Sequence, residues 1–146
     1  MRPSTEPPRI ILDTNVLVSA LIAVSPLSPA VRVAFAIAEG WARLVLSDEL
    51  MAEFEEVIRR PRLKRSHHMS DSQIEDLLAE LRDSGDFCTP QDPEISPPDP
   101  QDMHVWSLHQ AVPEAVLVTG DRALIVGARA DRRVMSPREF VDAYGL

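Results

Sequence analysis

"RIILDTNVLVSALIA", residues 9–23, sets Asp13, Thr14 and Asn15 inside an apolar run. Ile10, Ile11 and Leu12 before them read as a buried strand. Val16, Leu17, Ala20, Leu21 and Ala23 after them read as the start of a helix. A carboxylate at the end of a buried strand must be paired, hydrogen-bonded or metal-bound, because an unpaired charge out of water costs several kcal/mol or more.

Outward from this stretch, strand and helix signals alternate. "ARLVLS" (residues 42–47), "DFCT" (86–89), "AVLVTGD" (115–121) and "RRVM" (132–135) read as further strands. Ser28, with Pro29 in the first turn, heads a helix through Val31, Phe35 and Ala38 that stops at Gly40. Ser47 caps a helix from Asp48 to Arg60, and Pro61 ends it. Ser70 and Gln73 form a capping box for a helix that ends at Gly85. Residues 90–102, "PQDPEISPPDPQD", hold five prolines and form a loop. Asp99 with Pro100 then opens a helix to about Gln110. Ser136, Pro137 and Glu139 start a last one. The pattern predicts an α/β fold of three layers, helix, sheet and helix, with a mostly parallel central sheet covered on both faces. Residues 1–8 read as a disordered leader and residues 9–146 as a single domain.

The chain has 146 residues, 45% of them hydrophobic and 26% charged, as in a globular protein with a real core. One cysteine, Cys88, cannot form an intramolecular disulfide, which fits a reducing compartment. Cys88 itself reads as a small core hydrophobe. No apolar run is long enough to span a membrane. Asp13 and Asn15 interrupt the approach to residues 16–24, which argues against a signal peptide and for a cytoplasmic protein. The formal charge of −8 counts against simple nucleic-acid binding, yet "RRPRLKR" (residues 59–65) concentrates five of the fifteen Lys and Arg residues. Metal ions can bridge an acidic protein to phosphates.

Four acids break the apolar pattern. Glu53 shares a helix face with Leu50, Phe54 and Val57. Asp102 lies on the side of Val105 and Trp106, although an acid in a first helical turn also suits the helix dipole. Asp121 ends a strand and can cap the next helix. Asp13 is the most tightly bracketed. Asp13 and Asp121 fall at the carboxyl ends of buried strands, the edge where open α/β sheets bind ligands. Carboxylates converging there would repel by about 4 kcal/mol per close pair at an effective dielectric near 20, and would need a cation or a raised pKa. Oxygen ligands without thiols suit Mg²⁺ or Mn²⁺. Thr14, Asn15 and Thr119 offer supporting hydrogen bonds. The chemistry of such a site is metal-assisted phosphoryl hydrolysis. His109 reads as a packed histidine, not a ligand.

"ILDTNVLVSAL", "LVLSDELMAEFEEVIRRPRL", "DPQDMHVWSLHQA" and "VLVTGDRALI" together resemble, in order and spacing, the motifs of the PIN-domain family, in particular VapC-like toxin nucleases of toxin–antitoxin systems. "SPREF" is similar to a closing segment of one branch. The resemblance runs from about Arg9 to Ala143. It implies a Mg²⁺- or Mn²⁺-dependent ribonuclease that cleaves RNA with a metal-activated water at Asp13, Glu53, Asp102 and Asp121. It also implies a homodimer and a small antitoxin that blocks the site. Two positions depart from the pattern: Ala123 and Met103 stand where relatives often carry further polar or acidic groups. Asp99 rivals Asp102 as the third acid. Arg59, Arg60, Arg62, Lys64 and Arg65 are candidates for RNA backbone contacts, or a solvated helix end. The competing reading is a catalytically weak PIN-like module that binds RNA or a protein partner. A phosphoacceptor role for Asp13 ranks below both, since Asn15 stands where a second acid is needed and Lys64 is the only lysine.

Overall fold

The computed structural model describes residues 6–93, 96–97, 99–128 and 133–146. Five parallel strands run β1 (Arg9–Leu12), β2 (Arg43–Leu46), β3 (Asp86–Phe87), β4 (Val116–Val118) and β5 (Val134–Met135), in the spatial order β3-β2-β1-β4-β5. Ile10 pairs with Leu44 on one side and Val116 on the other, and Leu12 pairs with Val118. Ile10, Ile11 and Leu12 are all buried, as are Val116, Leu117 and Val118. Successive strand residues point to opposite faces, so both faces of the sheet are covered and the architecture has three layers, as expected.

The flanking helices are α1 (Thr14–Ile22), α2 (Pro29–Ala38), α3 (Asp48–Ile58), α4 (Pro61–His67), α5 (Asp71–Ser84), α6 (Met103–Ala111), α7 (Arg122–Gly127) and α8 (Pro137–Tyr144). A 3₁₀ turn, Pro100–Asp102, leads into α6. The expected capping boxes of α5 and α8 form with both reciprocal bonds, and Ser47 accepts from the Leu50 amide. Gly85 ends α5 at a close approach: a β-carbon there would lie 2.5 Å from Leu46 Cδ1 and 2.6 Å from the Leu81 carbonyl oxygen.

Three expectations are corrected. The helix from Asp48 stops at Ile58, and Pro61 does more than end it: it is the first residue of α4. Arg60, extended at ψ 132° before the proline, separates the two helices. A proline at the first helical position loses no intrahelical bond, so one residue both stops α3 and starts α4. Ser28 occupies the cap position of α2 but makes no side-chain cap bond. Helix α2 is held instead by Ala30, Val33 and Ala36 in the core and by packing on α1 and α8. Finally, Cys88 is only half-buried at the edge of the core, with Sγ 3.5 Å from the Arg9 guanidinium.

Of the expected leader, residues 1–5 lie outside the described residues, and the Pro8 carbonyl accepts from the Arg43 amide at 2.9 Å. Residues 94, 95 and 98 of the proline-rich loop and Arg132 of the last expected strand also lie outside. Among the described residues no helix is long and apolar enough to cross a membrane.

Candidate active site

The strand order reverses direction at β1: β2 follows on one side and β4 on the other. That makes the carboxyl ends of β1 and β4 the topological switch point, where open parallel sheets form a crevice. Asp13 leaves β1 there, and its amide donates to the Val118 carbonyl at 3.0 Å. The residue is only 9% exposed. The Thr119 hydroxyl donates to Asp13 Oδ2 at 2.7 Å and accepts from the Asp121 amide at 3.0 Å. One buried hydroxyl thus ties the first acid to the backbone of the fourth. Asp121 caps α7, with Oδ1 accepting from the Ala123 amide at 2.9 Å. Asn15 Oδ1 stands 3.5 Å from the Gly120 amide.

Asp13, Glu53, Asp102 and Asp121 all line one pocket of about 900 Å³, together with Thr14 and Asn15. They arrive from four different elements: the end of β1, α3, the start of α6 and the end of β4. Asp99 does not line this pocket; it is exposed, and its carboxylate accepts from the Gln101 amide at 3.0 Å. Asp102 caps α6 by position but makes no side-chain cap bond, which leaves its carboxylate to the pocket.

Burial, with crowding added, raises two of the acids. Burial pushes the Asp13 carboxyl upward, the charges of Glu53 and Asp121 add to the push, and the Thr119 hydrogen bond opposes it. Burial, then the charges of Asp13, Asp121 and Asp99, push Asp102 up to about 6 against the pull of His104. Both shifts mark carboxyls that are partly desolvated and set among like charges.

Sequence reasoning missed His104. Its Nε2 lies 2.5 Å from Glu53 Oε2, and it lines the same pocket. No periodicity in α6 could have found it, because the partnership exists only once α3 packs on α6. His109, by contrast, is buried and hydrogen-bonds the Ala115 carbonyl at 2.8 Å, a packed histidine as read.

The basic segment divides. Arg59 bonds Glu75 and lies 3.8 Å from Glu55, Arg60 bonds Glu56 at 3.0 Å, and Lys64 bonds Asp71 at 2.6 Å. Arg60 and Arg62 line the acidic pocket, and among the described residues Arg62 and Arg65 make no ion pair.

Would a divalent cation fit? The donor set is hard oxygen, as Mg²⁺ and Mn²⁺ prefer. Thr14 Oγ1 is buried at this pocket without a hydrogen-bond partner. Among the described residues no three His, Cys, Asp or Glu side chains stand close enough to hold an ion directly. Mg²⁺ commonly keeps several waters and takes one or two carboxylates directly, so the residues fit a largely hydrated ion.

A parallel α/β sheet with carboxylates gathered at its switch point is a scaffold for metal-assisted chemistry on phosphates. The comparison with known families agrees: the PIN-domain family model matches residues 9–123, and the chain belongs to that family. The match takes in all four acids and ends at Ala123, before β5 and α8. PIN domains are generally metal-dependent nucleases. No curated protein matches the chain.

Proposed function

We propose that residues 9–146 form one metal-dependent endoribonuclease domain that hydrolyses RNA phosphodiester bonds and acts in the cytoplasm as the toxin of a toxin–antitoxin pair. The observation that carries this reading is the convergence of Asp13, Glu53, Asp102 and Asp121 on one pocket with Arg60 and Arg62 beside them. One or two of these acids would bind Mg²⁺ or Mn²⁺ directly and the others through its waters. Such an ion, when bound, supplies a water of lowered pKa and neutralises charge developing on the phosphate. Thr119 holds Asp13 in place, and Thr14 and Asn15 offer neutral hydrogen bonds to the ion's waters or the RNA. Arg62, free of an intramolecular ion pair among the described residues, meets a backbone phosphate beside the cut, with Arg60 next to it. Arg65 extends the basic strip, while Arg59 and Lys64 shape it through their acidic partners. Leu27, Phe35 and Trp41 are exposed around α2, which supports pairing with a second copy or with an antitoxin.

The test is cleavage of a mixed RNA pool by wild type and Asp13→Asn with Mn²⁺, Mg²⁺ or EDTA. Metal-dependent cutting by the wild type, lost in the variant, is expected. Equal cutting by both would remove Asp13 from the site. One observation favours a second reading, a module that binds RNA or a partner without cutting: no three potential ligands are gathered for direct ligation among the described residues. Folded, partner-free wild type that binds the pool but leaves it intact with either metal would select that reading.

A further inference from the structure

Glu53 flanks the buried face of α3, which is Leu50, Met51, Phe54 and Ile58, and its carboxylate reaches the pocket from that edge. The group in contact with it comes from α6, which packs on α3. His104 Nε2 is 2.5 Å from Glu53 Oε2, and the imidazole side chain is 12% exposed. A carboxylate only accepts, so the proton of this contact sits on Nε2. The other ring nitrogen, Nδ1, is buried with no hydrogen-bond partner among the described residues, so no competing bond turns the ring away. The enclosed member of the pair is His104, for the Glu53 side chain is 36% exposed.

We propose that His104 is a positioning residue of the acidic pocket: by donating from Nε2 to Glu53 it fixes that carboxylate toward the pocket and so strengthens its hold on a divalent cation. This rests on the metal-dependent reading above. Groups that hydrogen-bond a ligating carboxylate typically contribute about tenfold or more to metal affinity.

The test is Mn²⁺ binding by the full chain, read from loss of the free-ion EPR signal, with thermal unfolding in EDTA measured alongside. The variants are His104→Ala, His104→Gln, Glu53→Ala and Glu53→Ala with His104→Ala. His104→Ala should weaken Mn²⁺ binding by about tenfold. His104→Gln, which keeps an N–H donor, should recover most of the loss. In the Glu53→Ala background, His104→Ala should cost much less, because the bond to Glu53 is gone and only the weaker influence of His104 on Asp102 is left. Unchanged Mn²⁺ affinity in His104→Ala, even with a lower melting temperature, would make His104 a simple tie between α3 and α6 and overturn the proposal. An equal loss in the Glu53→Ala background would overturn it too. Wild type that binds no Mn²⁺ would remove the metal reading itself, and this inference with it.

Discussion

Replacing Asp102 with Asn should stabilise the metal-free protein at neutral pH. Burial and the charges of Asp13, Asp121 and Asp99 raise the Asp102 carboxyl from its ordinary 3.8 to about 6. A displacement of that size corresponds to at most about 3 kcal/mol. Asp102 is partly solvated, and screening brings the working figure to about 1 kcal/mol. The direction follows from linkage. The folded chain holds this proton more tightly than the unfolded chain, so the stability it contributes is full below about pH 4 and is lost as pH rises through about 6. Above that, wild type carries the full cost of the crowded charge and Asp102→Asn does not. Nothing else should be lost, since the Asp102 side chain makes no cap bond to α6. Thermal unfolding in EDTA should show the variant melting about 3 °C higher at pH 7.5, the difference shrinking steadily toward pH 4. Added Mn²⁺ should reverse the order, because an ion that binds the folded state stabilises the chain with the intact acid more. A variant less stable than wild type at pH 7.5 in EDTA, or a gain that persists undiminished at pH 4, would show that Asp102 is not held in a crowded acidic pocket.

Three further outcomes follow from the same structure. Thr119→Val keeps the shape but deprives Asp13 Oδ2 of its donor and the Asp121 amide of its acceptor; urea unfolding should show a loss of about 1–3 kcal/mol, and a loss within error would refute the tie. Gly85→Ala would press a methyl group onto Leu46 and the Leu81 carbonyl, with an expected cost of about 1–3 kcal/mol in the same assay; a neutral result would mean the α5–β3 junction yields freely. Arg62→Ala should leave stability within about 0.5 kcal/mol. Combined with Asp13→Asn to prevent cutting, it should weaken RNA binding and lower the salt slope by about 1, whereas an unchanged slope would move the RNA path away from α4.

What the sequence disclosed depended on how local the physics is. The central strands were legible because Ile10–Leu12 and Val116–Val118 are continuous apolar runs, which only strands covered on both faces require. Asp13 stood out because the same apolar run surrounds it, and Glu53 by its spacing from Leu50, Phe54 and Val57, although the buried line of α3 is Leu50, Met51, Phe54 and Ile58 and Glu53 flanks it. The failures have the opposite character. Pro61 looks the same whether it stops a helix or starts one, and the break at Arg60 is set by backbone geometry, not composition. Phe35 belongs to α2 by pattern but is 56% exposed, because the buried line is Ala30, Val33 and Ala36. The bonds from Thr119 to Asp13 and from His104 to Glu53 join distant parts of the chain, so residue type alone suggested the first and nothing suggested the second.

The net charge of −8 and a nucleic-acid substrate are reconciled by where the charges sit. Most basic side chains near the pocket are already answered: Arg59 by Glu55 and Glu75, Arg60 by Glu56, Lys64 by Asp71. Arg62 alone lines the pocket without an ion pair among the described residues. One arginine cannot offset four carboxylates, so a phosphate entering the metal-free pocket would meet net repulsion. A cation changes the sign of that encounter, since it satisfies the acids and presents positive charge to the phosphate at once. On the proposed reading, the raised carboxyls of Asp13 and Asp102 would have a consequence beyond stability: the pocket that would repel RNA without charge compensation is the one whose acids a metal would relieve. On that reading, substrate approach and metal binding would be coupled through these side chains, and an overall acidic protein would need no basic surface larger than the short strip of α4 to work on RNA.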